Sequence, residues 1–312
     1  MILNTGNRTD IPAFFGEWFM NRMHAGFVYS RNPYYPKLVT KFDLSPHVID
    51  VIQFCSKNPI PFLKYIDELH QSYRLYFQVT ITPYGKEIEP YVPNKNRVMD
   101  ALKYLGHHLG KEAVAWRYDP IFINDKYTIS YHIRIFKQMC ERLSGYTDTV
   151  IISFIDLYQK TVRHFPEVKE VAPSSQQQIA SAFKEIADHY HIHLKTCLED
   201  NADLRALGID VSGCATKETL EKAFHIHLPM PSMPDARNGC HCLLGNDIGA
   251  YNTCAHGCRY CYANVDWQLV QENIRKHDPS SPLLIGHLHP DDEIREAKQK
   301  SFIDPQLSLF DI

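Results

Sequence analysis

The chain has 312 residues, enough for one large domain or two modest ones, and its 44% hydrophobic content supports a substantial core. A formal charge of -3 and a pI near 6.6 exclude a global field that would draw the molecule onto nucleic acid or an anionic membrane. No run has the apolar length of a membrane helix, and Met1-Ile-Leu-Asn-Thr-Gly6 lacks the basic start of a signal peptide, so a cytoplasmic location is expected.

Residues 1 to about 197 alternate short apolar runs with helical patterns. Strands are predicted over Ile2–Thr5, Ala25–Ser30 and Val48–Ser56, followed by a helix over Pro61–His70. Arg74–Thr82 reads as a strand and Lys95–Leu109 as a helix. Ala113–Tyr118 is a strand before a helix near Ser130–Leu143, and Thr149–Ile155 a strand before a helix over Ser175–His189. His191–Thr196 closes the series. Short Val-, Ile-, Phe- and Tyr-rich strands separated by helices predict repeated βα units around a parallel sheet. The fold class expected is α/β, a partial or open TIM-like (β/α)6 barrel over residues 1–197.

In such folds the chemistry gathers at the C-terminal ends of the strands. Polar residues cluster there: Asn7-Arg-Thr-Asp10, Ser56-Lys-Asn-Pro59, Thr80, Arg117-Tyr-Asp119, Ser153 with Asp156, and Cys197 with Glu199. Each has a purely structural reading, since Asp10 before Ile-Pro suits a helix N-cap and Asn-Pro and Asp-Pro are common in turns. Lys57, Arg117 and Asp119 are the best non-cysteine candidates. Arg117 could hold a carboxylate bidentately, Asp119 could accept from an amine or a hydroxyl, and Thr80 and Ser153 add hydroxyls at the same rim. An Arg117–Asp119 pair that only braces the sheet end is the alternative.

Beyond residue 198 the pattern changes. Short helices are predicted over Glu199–Leu207 and Lys217–Phe224, then Pro229–Pro234 breaks regular structure before a cysteine-rich stretch over 237–262. Val265–Lys276 reads as a helix, Pro279–Pro290 as a loop and Glu293–Lys300 as a charged helix. Residues 198–300 are expected to pack on the barrel mouth as a cysteine-rich segment, with 301–312 as a tail.

Of the nine cysteines, Cys55 and Cys140 stand alone and seven fall between 197 and 261. Clustered cysteines in a cytosolic chain read as ligands for a metal or cluster, because a reducing compartment disfavours disulfides. Cys254-Ala-His-Gly-Cys258-Arg-Tyr-Cys261 has C-x3-C-x2-C spacing. Three thiolates so spaced can hold a four-iron cluster and leave one iron without a protein ligand. The alternative is zinc, which takes four ligands, with Cys258 and Cys261 as one C-x2-C pair. Cys197, Cys214, Cys240 and Cys242 could form a second, closed site for zinc or an auxiliary cluster, or be small buried apolar residues. His256 could tune a cluster through a second hydrogen bond.

The three-cysteine motif, with Tyr260 as the aromatic before its last cysteine, resembles the radical S-adenosylmethionine superfamily. That resemblance implies a [4Fe-4S] cluster on Cys254, Cys258 and Cys261, and S-adenosylmethionine bound near Tyr260, Lys57, Thr80, Arg117, Asp119 and Ser153. It also implies cleavage of the cofactor to a 5′-deoxyadenosyl radical that abstracts hydrogen from a substrate, with electrons from a reductase or flavodoxin. The sequence departs from that superfamily in carrying its cysteines near the C-terminus, so the loop must fold back to the barrel mouth. Asn7–Pro12, Ser56–Pro59, Trp116–Ile121 and Asp247–Cys254 together resemble the domain-of-unknown-function 1848 family, similar to spore-photoproduct-lyase-like radical enzymes. The match runs from the N-terminus to about residue 262.

The tail Gln306-Leu-Ser-Leu-Phe310 resembles the peptide by which bacterial repair proteins and polymerases engage the sliding clamp. It implies a clamp partner and a link to DNA. Two other functions are consistent with the cysteines: a zinc-stabilised binding protein recruited to the clamp, and an iron–sulfur electron-transfer or sensing module.

Overall fold

The apolar runs of the first two hundred residues assemble side by side into one sheet. A computed structural model describes residues 1–197, 199, 202–230, 240 and 242–303. In chain order its strands are β1 (Ile2–Asn4), β2 (Phe27–Arg31), β3 (Leu38–Asp43), β4 (Val51–Ser56), β5 (Leu75–Thr80), β6 (Val114–Ile121), β7 (Thr149–Phe154), β8 (His193–Thr196) and β9 (Glu293–Glu296). The main sheet has six strands in the order β1-β4-β5-β6-β7-β8, and every neighbouring pair is parallel. The order is sequential, with no reversal. The sheet is open, with β1 and β8 at opposite edges.

Helices cross between the parallel strands and cover one face. Lys95–Leu109 starts where the Asn94 side chain accepts from the Asn96 N–H, and it buries Val98, Ala101, Leu102 and Leu105, one stripe at helical spacing. Ile129–Leu143 is capped by Thr128, which accepts from the Tyr131 N–H, and buries His132, Phe136, Met139, Cys140 and Leu143. On this side the strands contribute Phe54, Phe77, Val79, Trp116, Tyr118, Val150 and Ile152. His132 sits wholly buried among them, its Nε2 donating to the Phe122 carbonyl at 2.9 Å and its Nδ1 accepting from the Tyr118 hydroxyl at 2.7 Å.

No helix between the strands covers the other face. Alternate positions of the same strands, Ile2, Val51, Tyr76, Ala115 and Ile151, pack instead against Cys197, Cys214, Ala215, Leu220, Leu228, Cys240 and Cys242. The cysteine-rich segment thus covers this second face of the sheet, which is why β5 and β7 are buried at every position. The boundary expected at 197/198 divides the covalent chain but not the core.

Several elements lie within a few residues of their sequence-predicted bounds, and the helices over Lys95–Leu109 and Lys217–Phe224 match them. Two expectations are corrected. The strand expected over Ala25–Ser30 is present as β2, but it joins a separate three-stranded sheet, β2-β3-β9. The charged helix expected over Glu293–Lys300 is not formed: Glu293–Glu296 pairs parallel with Leu38–Lys41 as β9. That stretch has no apolar stripe to bury as a helix, and β3 offers it a ladder. Among the described residues no helix is long and apolar enough to cross a membrane. The clamp-binding motif Gln306–Phe310 lies outside the described residues.

Candidate metal and cofactor site

Side chains two residues apart on a strand share a face, so the inner face of the sheet carries its polar ends in register. Cys55 on β4, Thr80 on β5, Arg117 and Asp119 on β6, Ser153 on β7 and Cys197 just past β8 line one cavity at the C-terminal rim. The pairing of β6 with β7 shifts register between Tyr118 and Ile121, so Asp119-Pro120 leaves the ladder where the cavity begins. Lys57, Tyr260, Cys254, Cys258 and Cys261 complete the lining. The structure therefore brings together the three-cysteine motif and all six side chains expected beside it.

The cysteine loop reaches the rim by folding back onto the first strand. Asn4 bridges Asp247, with the Asn4 N–H donating to the Asn246 carbonyl at 3.2 Å and the Ile248 N–H to the Asn4 carbonyl at 3.1 Å. Asp247 then takes the Asn7 N–H at 2.9 Å and the Arg8 Nε–H at 2.8 Å. Thr253 donates to Thr9 at 2.7 Å. Asp10 caps the short helix Ile11–Phe14 through the Ala13 N–H, and its other oxygen accepts from the Lys57 N–H and from His256 Nε2, each at 2.8 Å. Asp10 is thus both the cap and the anchor of the loop. The opposite side of the loop is zipped to residues 88–91 by the Arg259 N–H to Ile88 and the Tyr91 N–H to His256.

This last contact sets Glu89 against the cysteines, a residue the sequence did not single out. Glu89 is 1% exposed and accepts from Lys57 at 2.9 Å, Thr82 at 2.7 Å, Lys95 and the Tyr260 hydroxyl. Burial would raise its carboxyl, but the two ammonium groups hold it well below the usual carboxylate range. Burial would lower Lys57, yet Glu89 and the Cys258 sulfur keep it above its ordinary value, whereas burial and the charge of Lys57 hold Lys95 below. Glu89 sits between β5 and Lys95–Leu109, in a segment without helical or strand period. The absence of a pattern hid it.

The matched family model is that of a domain of unknown function, DUF1848, and it covers residues 2–263. The chain belongs to the DUF1848 family. No curated protein and no solved structure is matched. The matched DUF1848 segment runs from β1 through Cys261, so it includes both the sheet and the loop that folds back to it.

Electrostatics divide the DUF1848 cavity. Burial pushes the thiols of Cys254, Cys258 and Cys261 up, so they are protonated unless a bound cation displaces the protons. His256 is 2% exposed, and its Nδ1 is buried without a hydrogen-bond partner. Arg117 does not present an open fork. Its Nε and Nη2 engage Asp119 and its Nη1 donates to Gln78 at 2.7 Å. Thr80 and Ser153 face the cavity, and the Ser153 hydroxyl donates to the Phe154 carbonyl at 3.1 Å.

Four further cysteines of the family segment, Cys197, Cys214, Cys240 and Cys242, are all buried. Cys197 and Cys214 sulfurs are 3.7 Å apart and Cys214 and Cys242 sulfurs 3.5 Å, with Cys240 bonded in turn to Cys242. Hydrogen bonds from the Cys197 and Cys242 thiols hold Cys214 well below its ordinary value, with Arg117 adding to them. As they stand, the described residues include no group of three or more His, Cys, Asp or Glu side chains disposed to hold a metal ion.

Proposed function

We propose that this chain is an iron–sulfur enzyme of the radical S-adenosylmethionine type, with its open sheet serving as an arc of a TIM-like barrel. The observation that carries this reading is that Cys254, Cys258 and Cys261 all line the strand-end cavity, beside a buried histidine nitrogen with no partner. The residue types and local charge suit a cluster with an open iron, although the three thiols do not yet face one centre. Three thiols come from one loop, and the two ammonium groups of Lys57 and Lys95 outweigh the single carboxylate of Glu89 next to Cys258, which suits an anionic group.

A cluster on these thiols, together with S-adenosylmethionine, would supply one-electron cleavage of the sulfonium and a 5′-deoxyadenosyl radical for hydrogen abstraction. The protein's own part is to hold and exclude. Cys254, Cys258 and Cys261 would hold the cluster as thiolates. Lys57, tied to Glu89 and lying 5.3 Å from the Tyr260 ring centre, balances their charge. His256 is held to Asp10 through Nε2, and its partnerless Nδ1 is left to meet a polar atom of a bound group. Asp119 and the Thr80 hydroxyl offer further partners for an amine or a ribose. An external one-electron donor, a reductase or flavodoxin, is required.

The test is anaerobic reconstitution with iron and sulfide, then reduction in the presence of S-adenosylmethionine. Release of 5′-deoxyadenosine by the wild type and its loss in Cys258→Ala support the reading. Protein that holds iron and sulfide yet never cleaves the cofactor sinks it.

A further inference from the structure

We propose that Cys197, Cys214, Cys240 and Cys242 form a structural tetrathiolate site for a single divalent ion, zinc by chemical preference, on the inner face of the sheet. Sulfur spacing decides the kind of site. Four thiolates around one zinc, each ~2.3 Å from it, stand ~3.8 Å apart along the edges of the tetrahedron. The observed 3.7 Å and 3.5 Å separations approach that value. A cubane would spread the thiolates over four different irons and hold them much farther apart. The four side chains now form a chain of contacts, Cys197 to Cys214 to Cys242 to Cys240, rather than facing one centre. Ion binding would replace those contacts with four metal–sulfur bonds, releasing the protons that the thiols still hold and leaving a complex of charge -2.

The backbone around the sulfurs is already shaped for this. The N–H groups of Cys214 and Ala215 point at the Cys242 sulfur at 3.1 and 3.4 Å and fix its position in the turn. The turn that aims them requires glycine. Gly213 has a φ of +117, and a Cβ there would stand 2.8 Å from the Cys242 sulfur. The Arg117 guanidinium lies against Cys214 and supplies positive charge from the sheet side. Gln78 on β5 donates to the Cys214 carbonyl at 3.3 Å and fixes the turn to the sheet. The ligands come from the end of β8, from the turn after residue 213 and from residues 240 and 242. One ion would therefore clamp the covering segment to the arc whose rim carries the cavity.

The experiment uses the full chain with Cys254, Cys258 and Cys261 all changed to alanine, purified anaerobically. About one zinc per chain, with neither iron nor sulfide, is expected. Adding Cys214→Ser and Cys242→Ser should remove it. Gly213→Ala keeps every thiol and should weaken zinc retention against a chelator about tenfold, the effect of disturbing groups that orient metal ligands. If the serine variant does not fold, alkylation of the alanine variant before and after chelation replaces it, with Cys197, Cys214, Cys240 and Cys242 expected to become reactive together. Absence of stoichiometric zinc, iron with sulfide in the alanine variant, or chelator-dependent reactivity at other cysteines would each overturn the proposal.

Discussion

Two groups of cysteines lie within one fold, and their surroundings differ, although Cys197 of the second group also reaches the cavity that the first group faces. Cys254, Cys258 and Cys261 come from a single short loop, two of them partly exposed, and face a cavity walled by hydroxyls, carboxylates and a buried histidine. Cys197, Cys214, Cys240 and Cys242 come from separated stretches and are all buried. They pack among Ile2, Val51, Tyr76 and Leu220. The first group influences itself through space, as Cys254 does with Cys258 and Cys261, whereas the second touches sulfur to sulfur. Identical side chains thus suit opposite tasks. On the proposed reading, three ligands over a polar cavity would leave a coordination position for chemistry, and four ligands in an apolar layer would close a site and fasten the fold.

The contrast can be broken most severely at Glu89, which serves only the open group. Glu89→Gln removes the carboxylate shared by Lys57 and Lys95 and should cost about 4 kcal/mol, the scale for breaking a buried ion pair from one side. Denaturant unfolding should show that loss, and iron uptake by the three-cysteine loop should fall while zinc retention at the other four thiols is unchanged. Unchanged stability would mean that the lysines do not need their partner. A smaller effect comes from the helix-covered face, remote from both groups. Burial holds His132 down to about 4 from an ordinary 6.5. A depressed value stabilises the fold above pH 6.5, and that contribution is lost as pH falls through about 4. It amounts to about 3 kcal/mol at most. Stability measured against pH should decline over this window in the wild type and decline less in His132→Gln. Equal slopes would remove His132 from the account.

The legible parts of the molecule are those whose information is local. The helices over Lys95–Leu109 and Lys217–Phe224 start where expected, and in the structure Asn94 and Thr216 cap them with their own side chains. Period two along the strands carried Thr80, Arg117, Asp119 and Ser153 to one rim, because residues alternate faces whatever the tertiary partner. The return of the cysteine loop to Asn4 and Asp10 was required by the three-cysteine reading, but its route through Asp247 and Thr253 depends on contacts more than 230 positions apart along the chain. Glu89 and β9 were missed for a related reason. Each is defined by its partners, the paired lysines in one case and Leu38–Lys41 in the other, and neither has an apolar pattern of its own.

The central claim is that one group is open and the other closed. Electron paramagnetic resonance of the anaerobically reconstituted, reduced protein tests it directly, recorded with and without S-adenosylmethionine. The account predicts a four-iron signal that changes on adding the cofactor and disappears in Cys258→Ala while zinc content stays the same. A cluster signal indifferent to the cofactor, or one that survives Cys258→Ala and vanishes in Cys214→Ser, would contradict it.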